Sequence, residues 1–237
     1  MALPDSWLSS PPGPSVEHTA RAAERQQVLT KPPGSLGQLE QLAINLAGLK
    51  GADKPTVDPV RMVVFAGDHG VCAEGVSAFP QEVTAQMIAN FASGGAAISV
   101  MAEELGASLE VVNLGTVGKV PESPGILHQI IAPSTANMAK SAAMSSQQVA
   151  AALSSGDEAA GRAASAGCGL FIGGDMGIGN TTSAAALACA LLEQQPETLV
   201  GPGTGLDSKG VTRKARVVEK ALLRHGSNRD ALTVLTS

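Results

Sequence analysis

Tyrosine is missing from the sequence, and one tryptophan and four phenylalanines bring aromatic residues to only 2% of 237 positions. So few rings leave little for single-stranded nucleic acid to stack on, and a net charge of −5 offers no basic footprint for a phosphate backbone. Nucleic acid is therefore not an expected partner. Cysteine is almost as scarce: Cys72, Cys168 and Cys189 are odd in number, lack CxxC spacing and sit in apolar or small-residue runs. Buried free thiols in a reducing, cytoplasmic setting follow, rather than a disulfide framework. No apolar run reaches the roughly 20 residues of a membrane span, and the stretch Met1 to Trp7 has neither the basic nor the apolar region of a secretory leader. A soluble chain with no membrane partner is expected. Charged residues are 16% against 44% hydrophobic, the reverse of a disordered composition.

What the sequence has in excess is glycine, 27 residues against a usual share of about 7%, clustered where backbone must turn or approach a ligand. Residues 4–14 are rich in Pro, Ser and Gly, so 1–14 reads as a flexible arm. A helix is expected over 16–29. Ser35, after the breaker Lys31-Pro32-Pro33-Gly34, is placed to cap a second helix with Leu36, Leu39, Leu42, Ile44, Leu46 and Leu49 largely on one face. Residues 15–55 thus form the N-terminal helical part of a small domain. From Val60 the texture changes to short apolar runs at 60–66, 109–114, 126–132 and 170–172, alternating with Ala-rich helices at about 82–105, 146–165, 180–194 and 208–225. Gly94-Gly95-Ala96-Ala97 begins a further helix within the first of these. This β–α alternation predicts an α/β, Rossmann-like parallel sheet flanked by helices, a nucleotide-binding domain over 56–237. Ligands of such sheets bind beyond the carboxyl ends of the strands.

The loops in that position carry the chemistry. Asp68-His69 follows the first strand, but sequence neighbours point to opposite sides of an extended chain and no second ligand pair is near, so a hydrogen-bonded turn is favoured over a metal or base site. His128 reads as a satisfied core or edge histidine, and His18 and His225 as solvated. Between Gly75 and Phe91, Ser77, Phe79, Gln86 and Met87 combine hydroxyl, ring, amide and thioether, the mixture of a small-molecule pocket. A capped amphipathic helix with Met87 in the core explains the same residues. The sharpest signal is Gly173-Gly-Asp-Met-Gly-Ile-Gly-Asn-Thr-Thr182 running into a helix, where backbone N–H groups, the helix dipole and threonine hydroxyls converge on an anion. Gly177 and Gly179 are followed by Asn180, Thr181 and Thr182 where a dinucleotide fingerprint has its third glycine, and GxxxxGK[ST] is absent, so NAD and P-loop readings both weaken. Asp175 adds a carboxylate suited to a ribose hydroxyl or an oxocarbenium-like sugar. A second turn with Gly203, Thr204 and Gly205 leads to a helix bearing Arg213, Lys214 and Arg216, and Lys214 can reach a phosphate.

Together, Lys31-Pro-Pro-Gly-Ser-Leu-Gly37, Phe65-Ala-Gly-Asp-His-Gly-Val71, Gly75-Val-Ser77 through Gln86, Gly173 to Thr182 and Gly203-Thr-Gly-Leu206 resemble the nicotinate-nucleotide–dimethylbenzimidazole phosphoribosyltransferase family from about Ala23 onward. The resemblance implies transfer of 5-phosphoribose from nicotinate mononucleotide to 5,6-dimethylbenzimidazole in cobalamin nucleotide-loop assembly. The products are α-ribazole 5′-phosphate and nicotinate, with inversion at the anomeric carbon and no metal or cofactor. It further implies that Gly177, Gly179, Asn180, Thr181, Thr182, Gly203, Thr204, Gly205 and Lys214 hold the nucleotide and that Ser77, Phe79, Gln86 and Met87 line the base pocket, in a homodimer. Asp175 stands where the family usually has Glu, and Ser134 where Gly is expected. The family's general-base glutamate lies in a last portion without counterpart before residue 237, so a C-terminally truncated chain is expected, with Asp175 as a supporting carboxylate. The alternative is a catalytically incompetent fragment that binds nucleotide or benzimidazole.

Overall fold

Met62, Val63 and Val64 follow one another without a polar break, as befits a strand covered on both faces. All three are buried in β1 (Val60–Gly67) of the computed structural model, which describes Trp7 and residues 10–237. β1 pairs in parallel with β2 (Ser108–Gly115) on one side and β4 (Leu170–Met176) on the other, and β3 (Ile126–His128) extends the sheet beyond β2, giving the order β3-β2-β1-β4. The strand order reverses at β1, so a crevice opens between the carboxyl ends of β1 and β4, the usual ligand position in such sheets. The α/β parallel-sheet expectation holds.

β4 runs four residues past the apolar run 170–172. Gly173, Gly174 and Asp175 are drawn into the ladder opposite Val63, Val64 and Phe65, so pairing with a buried strand overrides the poor strand propensity of Gly-Gly-Asp. β3, by contrast, is shorter than 126–132. Gln129 N–H and Ile131 N–H still donate to Asn113 O (2.9 Å) and Leu114 O (2.8 Å), but regular pairing stops where Gly115 takes φ +135. A Cβ there would collide with Ala132 O, so this close approach requires glycine.

The helices of the same part of the chain are α3 (Glu82–Ala92), α4 (Ala97–Glu104), α5 (Ser146–Ser165), α6 (Asn180–Leu192), the single turn α7 (Pro196–Leu199), α8 (Ser208–His225) and the short α9 (Ala231–Thr236). Ser145 and Gln148 form a capping box on α5, and Asp207 caps α8 by accepting from Gly210 N–H at 2.7 Å. Ser99 Oγ donates to Phe91 O (2.9 Å), tying α4 to the end of α3 across the Gly94-Gly95 break.

Contacts divide the chain at Asp58/Pro59. Before that point lie α1 (Val16–Val28), capped by Ser15, and α2 (Gln38–Lys50). Ser35 does not cap α2: Gly34 and Gly37 take positive φ, the helix starts beyond Gly37, and Glu40 instead accepts from Leu36 N–H (3.2 Å) and Lys31 Nζ (2.7 Å). The side of α2 that packs is Ala47-Gly48, where a Cβ on Gly48 would strike Thr19 Oγ1 of α1, while Leu39, Leu42 and Leu49 are exposed. Of the expected arm 1–14, residues 1–6, 8 and 9 lie outside the described residues, and 10–14 have no regular structure.

All three cysteines are free. Cys189 is buried, but Cys72 and Cys168 are only half-buried. His128 sits on the edge strand with Nδ1 3.2 Å from Asn113 Nδ2. His18 and His225 are less solvated than their helix positions suggest: Ser15 Oγ lies 2.8 Å from His18 Nδ1, and Ser237 Oγ and Asn228 O hold the two nitrogens of His225. Among the described residues, no helix is long and apolar enough to cross a membrane.

Candidate functional site

The turn between β4 and α6 is shaped by the atoms that press on it. A Cβ at Gly177 would collide with Gly67 O and Asn180 Oδ1, and one at Gly179 (φ +101) would lie 2.9 Å from Cys72 Sγ and 3.1 Å from His69 Cβ. Ile178 between them is pinned on both sides, its N–H donating to Thr84 Oγ1 (3.0 Å) and its carbonyl accepting from Cys72 Sγ (3.0 Å). Burial pushes the Cys72 thiol up to about 11. The turn therefore presents a fixed backbone to whatever occupies the crevice.

Lys214 reaches that turn from α8. Its residue is 1% exposed, and Nζ donates to Thr181 Oγ1 at 2.6 Å and Gly201 O at 3.2 Å. Its helix neighbours Arg213 and Arg216 are exposed, so Lys214 is set apart from the solvated basic face. Desolvation lowers its pKa from the ordinary lysine value, and no carboxylate is among its hydrogen-bond partners to neutralise it. A cavity opens directly beside it, bounded by Ser77, Gly177, Gly179, Asn180, Thr181, Gly203, Thr204 and Lys214. Gly203 (φ +56) makes room, since a Cβ there would press on Thr181 Oγ1 at 3.1 Å and approach Nζ at 3.5 Å. Two other expected nucleotide residues stand outside this lining. Thr182 is wholly buried in α6, and Gly205 (φ +114) turns in open space.

A second, largely apolar cavity lies over the ends of β1, β2 and β4, walled by Phe65, Leu114, Ile131 and Met144 and carrying Asp68, His69, Asp175 and Asn180. Met176 and Asn180 border both cavities. Asp68 acts as a structural buckle: it is 3% exposed, its Oδ2 accepts from Val117 N–H (2.9 Å), its N–H donates to Gly115 O (3.0 Å) and its carbonyl accepts from Thr135 N–H (3.0 Å). Burial raises its pKa. His69 has Nε2 2.7 Å from Asn180 Oδ1 and Nδ1 3.0 Å from Ser183 Oγ. Both residues are hydrogen-bonded, and the ring partners of His69 are more than a hundred positions away. Asn180 Nδ2 in turn donates to Asp175 Oδ2.

The segment expected to line a base pocket is only partly gathered. Ser77 borders the Lys214 cavity and its Oγ accepts from Phe79 N–H (3.2 Å), with Phe79 48% exposed beside it. Gln86 is exposed on α3, and Met87 packs against the cluster of Ile88 and Phe91. Neither borders the two cavities described. Ser134 does not need glycine's freedom: its φ is not positive, and its Oγ donates to Thr135 O at 2.7 Å. Among the described residues, no group of three His, Cys, Asp or Glu is placed to hold a metal.

A family model described as Phosphoribosyltransferase matches residues 12–237. The chain belongs to that family. Among its relatives, a nicotinate-nucleotide–dimethylbenzimidazole phosphoribosyltransferase of Pseudomonas aeruginosa strain LESB58 is 58% identical over 209 residues, covering 88% of this chain and 60% of the relative. The enzyme of the same name from Pseudomonas fluorescens strain SBW25 is 55% identical over 223 residues, covering 94% and 64%. The crystal structure of CobT from Thermus thermophilus superposes with a TM-score of 0.87 at 48% identity, covering 93% of this chain and 66% of that one. The chain spans about three fifths of the length of the curated relatives it matches.

Proposed function

We propose that the chain transfers the 5-phosphoribosyl group of nicotinate mononucleotide to 5,6-dimethylbenzimidazole, yielding α-ribazole 5′-phosphate, nicotinate and the proton released from the benzimidazole N–H. The observation that carries this reading is buried Lys214, a cation with neutral partners beside a glycine-walled cavity, which suits a phosphate monoester. The two cavities share Met176 and Asn180, so a molecule with phosphate at one end and a flat ring at the other spans both, its ribose beside Asp175. There a carboxylate stabilises positive charge developing on the sugar as nicotinate leaves. Ser77, in the lining of the Lys214 cavity, and exposed Phe79 two residues on offer a hydroxyl and a ring to the acceptor base. Holding donor and acceptor at attack distance accounts for most of the required acceleration. The relatives' printed names support these two substrates. The same reading makes the chain a cytoplasmic protein that pairs with a second copy.

The test is to mix the chain with both substrates and follow free nicotinate and α-ribazole phosphate by chromatography, with calorimetry of each substrate alone. Nicotinate and α-ribazole phosphate appearing together support the transfer. Binding without product supports a nucleotide site alone, and absence of both removes the reading.

A further inference from the structure

We propose that His69 is a positioning residue, a fixed neutral Nε2–H imidazole that orients Asn180 so that Asn180 in turn holds the Asp175 carboxylate toward the sugar. Donors and acceptors set the direction of each bond. An ionised carboxylate only accepts, so the Asn180 group facing Asp175 Oδ2 must be its NH2, and its Oδ1 is left facing His69. Oδ1 only accepts, so Nε2 at 2.7 Å must carry the proton. In a neutral ring Nδ1 is then an acceptor, and the Ser183 hydroxyl 3.0 Å away donates to it. Every link in the chain Ser183, His69, Asn180, Asp175 thus has a single direction, set from the carboxylate end.

Two further observations show that the backbone is built around this chain. Gly177 lacks a side chain at the place where Asn180 Oδ1 lies, so alanine there would displace a member of the relay, and a Cβ at Gly179 would press on Cys72 Sγ (2.9 Å) and on His69 Cβ (3.1 Å). The His69 backbone is itself fixed, its carbonyl accepting from Gln81 Nε2 at 3.0 Å. Desolvation lowers the His69 pKa and so favours the neutral ring the relay needs. The glycines of the turn therefore serve protein atoms as well as a ligand.

The positioning role rests on the nucleotide reading of the site, and its test separates the two. Chain labelled with 15N-histidine should show the His69 Nε2–H tautomer by its ring nitrogen shifts. His69→Leu should weaken nicotinate mononucleotide by about tenfold, roughly 1.4 kcal/mol, while binding of inorganic phosphate, read by 31P line broadening, stays unchanged. His69→Gln, whose amide can donate to Asn180 Oδ1, should restore affinity to within about threefold of the parent, roughly 0.7 kcal/mol. An Nδ1–H tautomer, an equal loss for both ligands, or full nucleotide affinity in His69→Leu each overturns the positioning role and leaves the nucleotide reading standing. If the parent chain binds neither ligand, the nucleotide reading falls and the positioning role with it.

Discussion

Lys214 and Asp175 divide the work of one small site, and their substitutions should separate phosphate from sugar. Lys214→Met removes a charge-assisted bond of about 1.5–3 kcal/mol, so nicotinate mononucleotide should bind about 10–100-fold more weakly by calorimetry. The same variant has a signature in stability. Burial lowers the lysine pKa below its ordinary 10.5, so the unfolded chain holds the proton more tightly and the lysine's contribution rises as pH climbs between the folded value and 10.5. Urea unfolding of parent and variant from about pH 8 to about pH 10.5 should show the parent gaining on Lys214→Met. His69 behaves alike at lower pH: its depressed pKa costs stability as pH falls below 6.5, and His69→Gln should flatten that limb. Asp175→Glu returns the residue the resemblance leads one to expect. Because Asn180 already holds the shorter side chain, the extra methylene must push past that bond, and nucleotide affinity should change while phosphate binding does not. Thiol chemistry gives an independent check. With Cys72 raised to about 11 and Cys189 buried, a disulfide reagent at mildly alkaline pH should titrate Cys168 first, Cys72 more slowly and Cys189 only on unfolding.

At the scale of elements, the legible parts are those whose signal is local. An unbroken apolar run announces β1, a glycine-dense turn before an alanine-rich stretch announces α6, and the α/β alternation follows from their spacing. The end of β4 is not legible, because Gly-Gly-Asp becomes strand only through pairing with a distant buried neighbour. Ser35 is of the right type for a cap, yet positive φ at Gly34 and Gly37 moves the helix start past it. The loop position after β1 singles out His69, but not its role, because its partners Asn180 and Ser183 lie 111 and 114 positions along the chain. Charge and position single out Lys214, but nothing near it in sequence shows its burial against Thr181, 33 positions away. Two glycines permit a sharper test of elements than of residues. Gly115→Ala places a methyl on Ala132 O at φ +135, and Gly177→Ala places one on Gly67 O. Each should cost about 1–3 kcal/mol or more, seen as a lower melting temperature.

For the whole molecule, exposed Leu39, Leu42 and Leu49 on α2 are an apolar face larger than scattered surface residues suggest. If a second copy covers it, Leu39→Glu with Leu42→Glu should convert a dimer into a monomer in sedimentation velocity. An unchanged sedimentation coefficient would place the pairing surface elsewhere. The sheet order carries a last consequence, one of time. β1 sits inside the sheet, yet its β4 partner follows about 110 residues later, as the pairing of Val60 with Leu170 shows. At synthesis rates of about 5–20 residues per second, one side of Met62-Val63-Val64 waits roughly 5–20 seconds on the ribosome for its neighbour. During that interval the nascent chain offers an unpaired apolar strand edge, which makes it a natural client for chaperones. The ligand crevice, built from both sides of that delayed pairing, cannot form until β4 has been made.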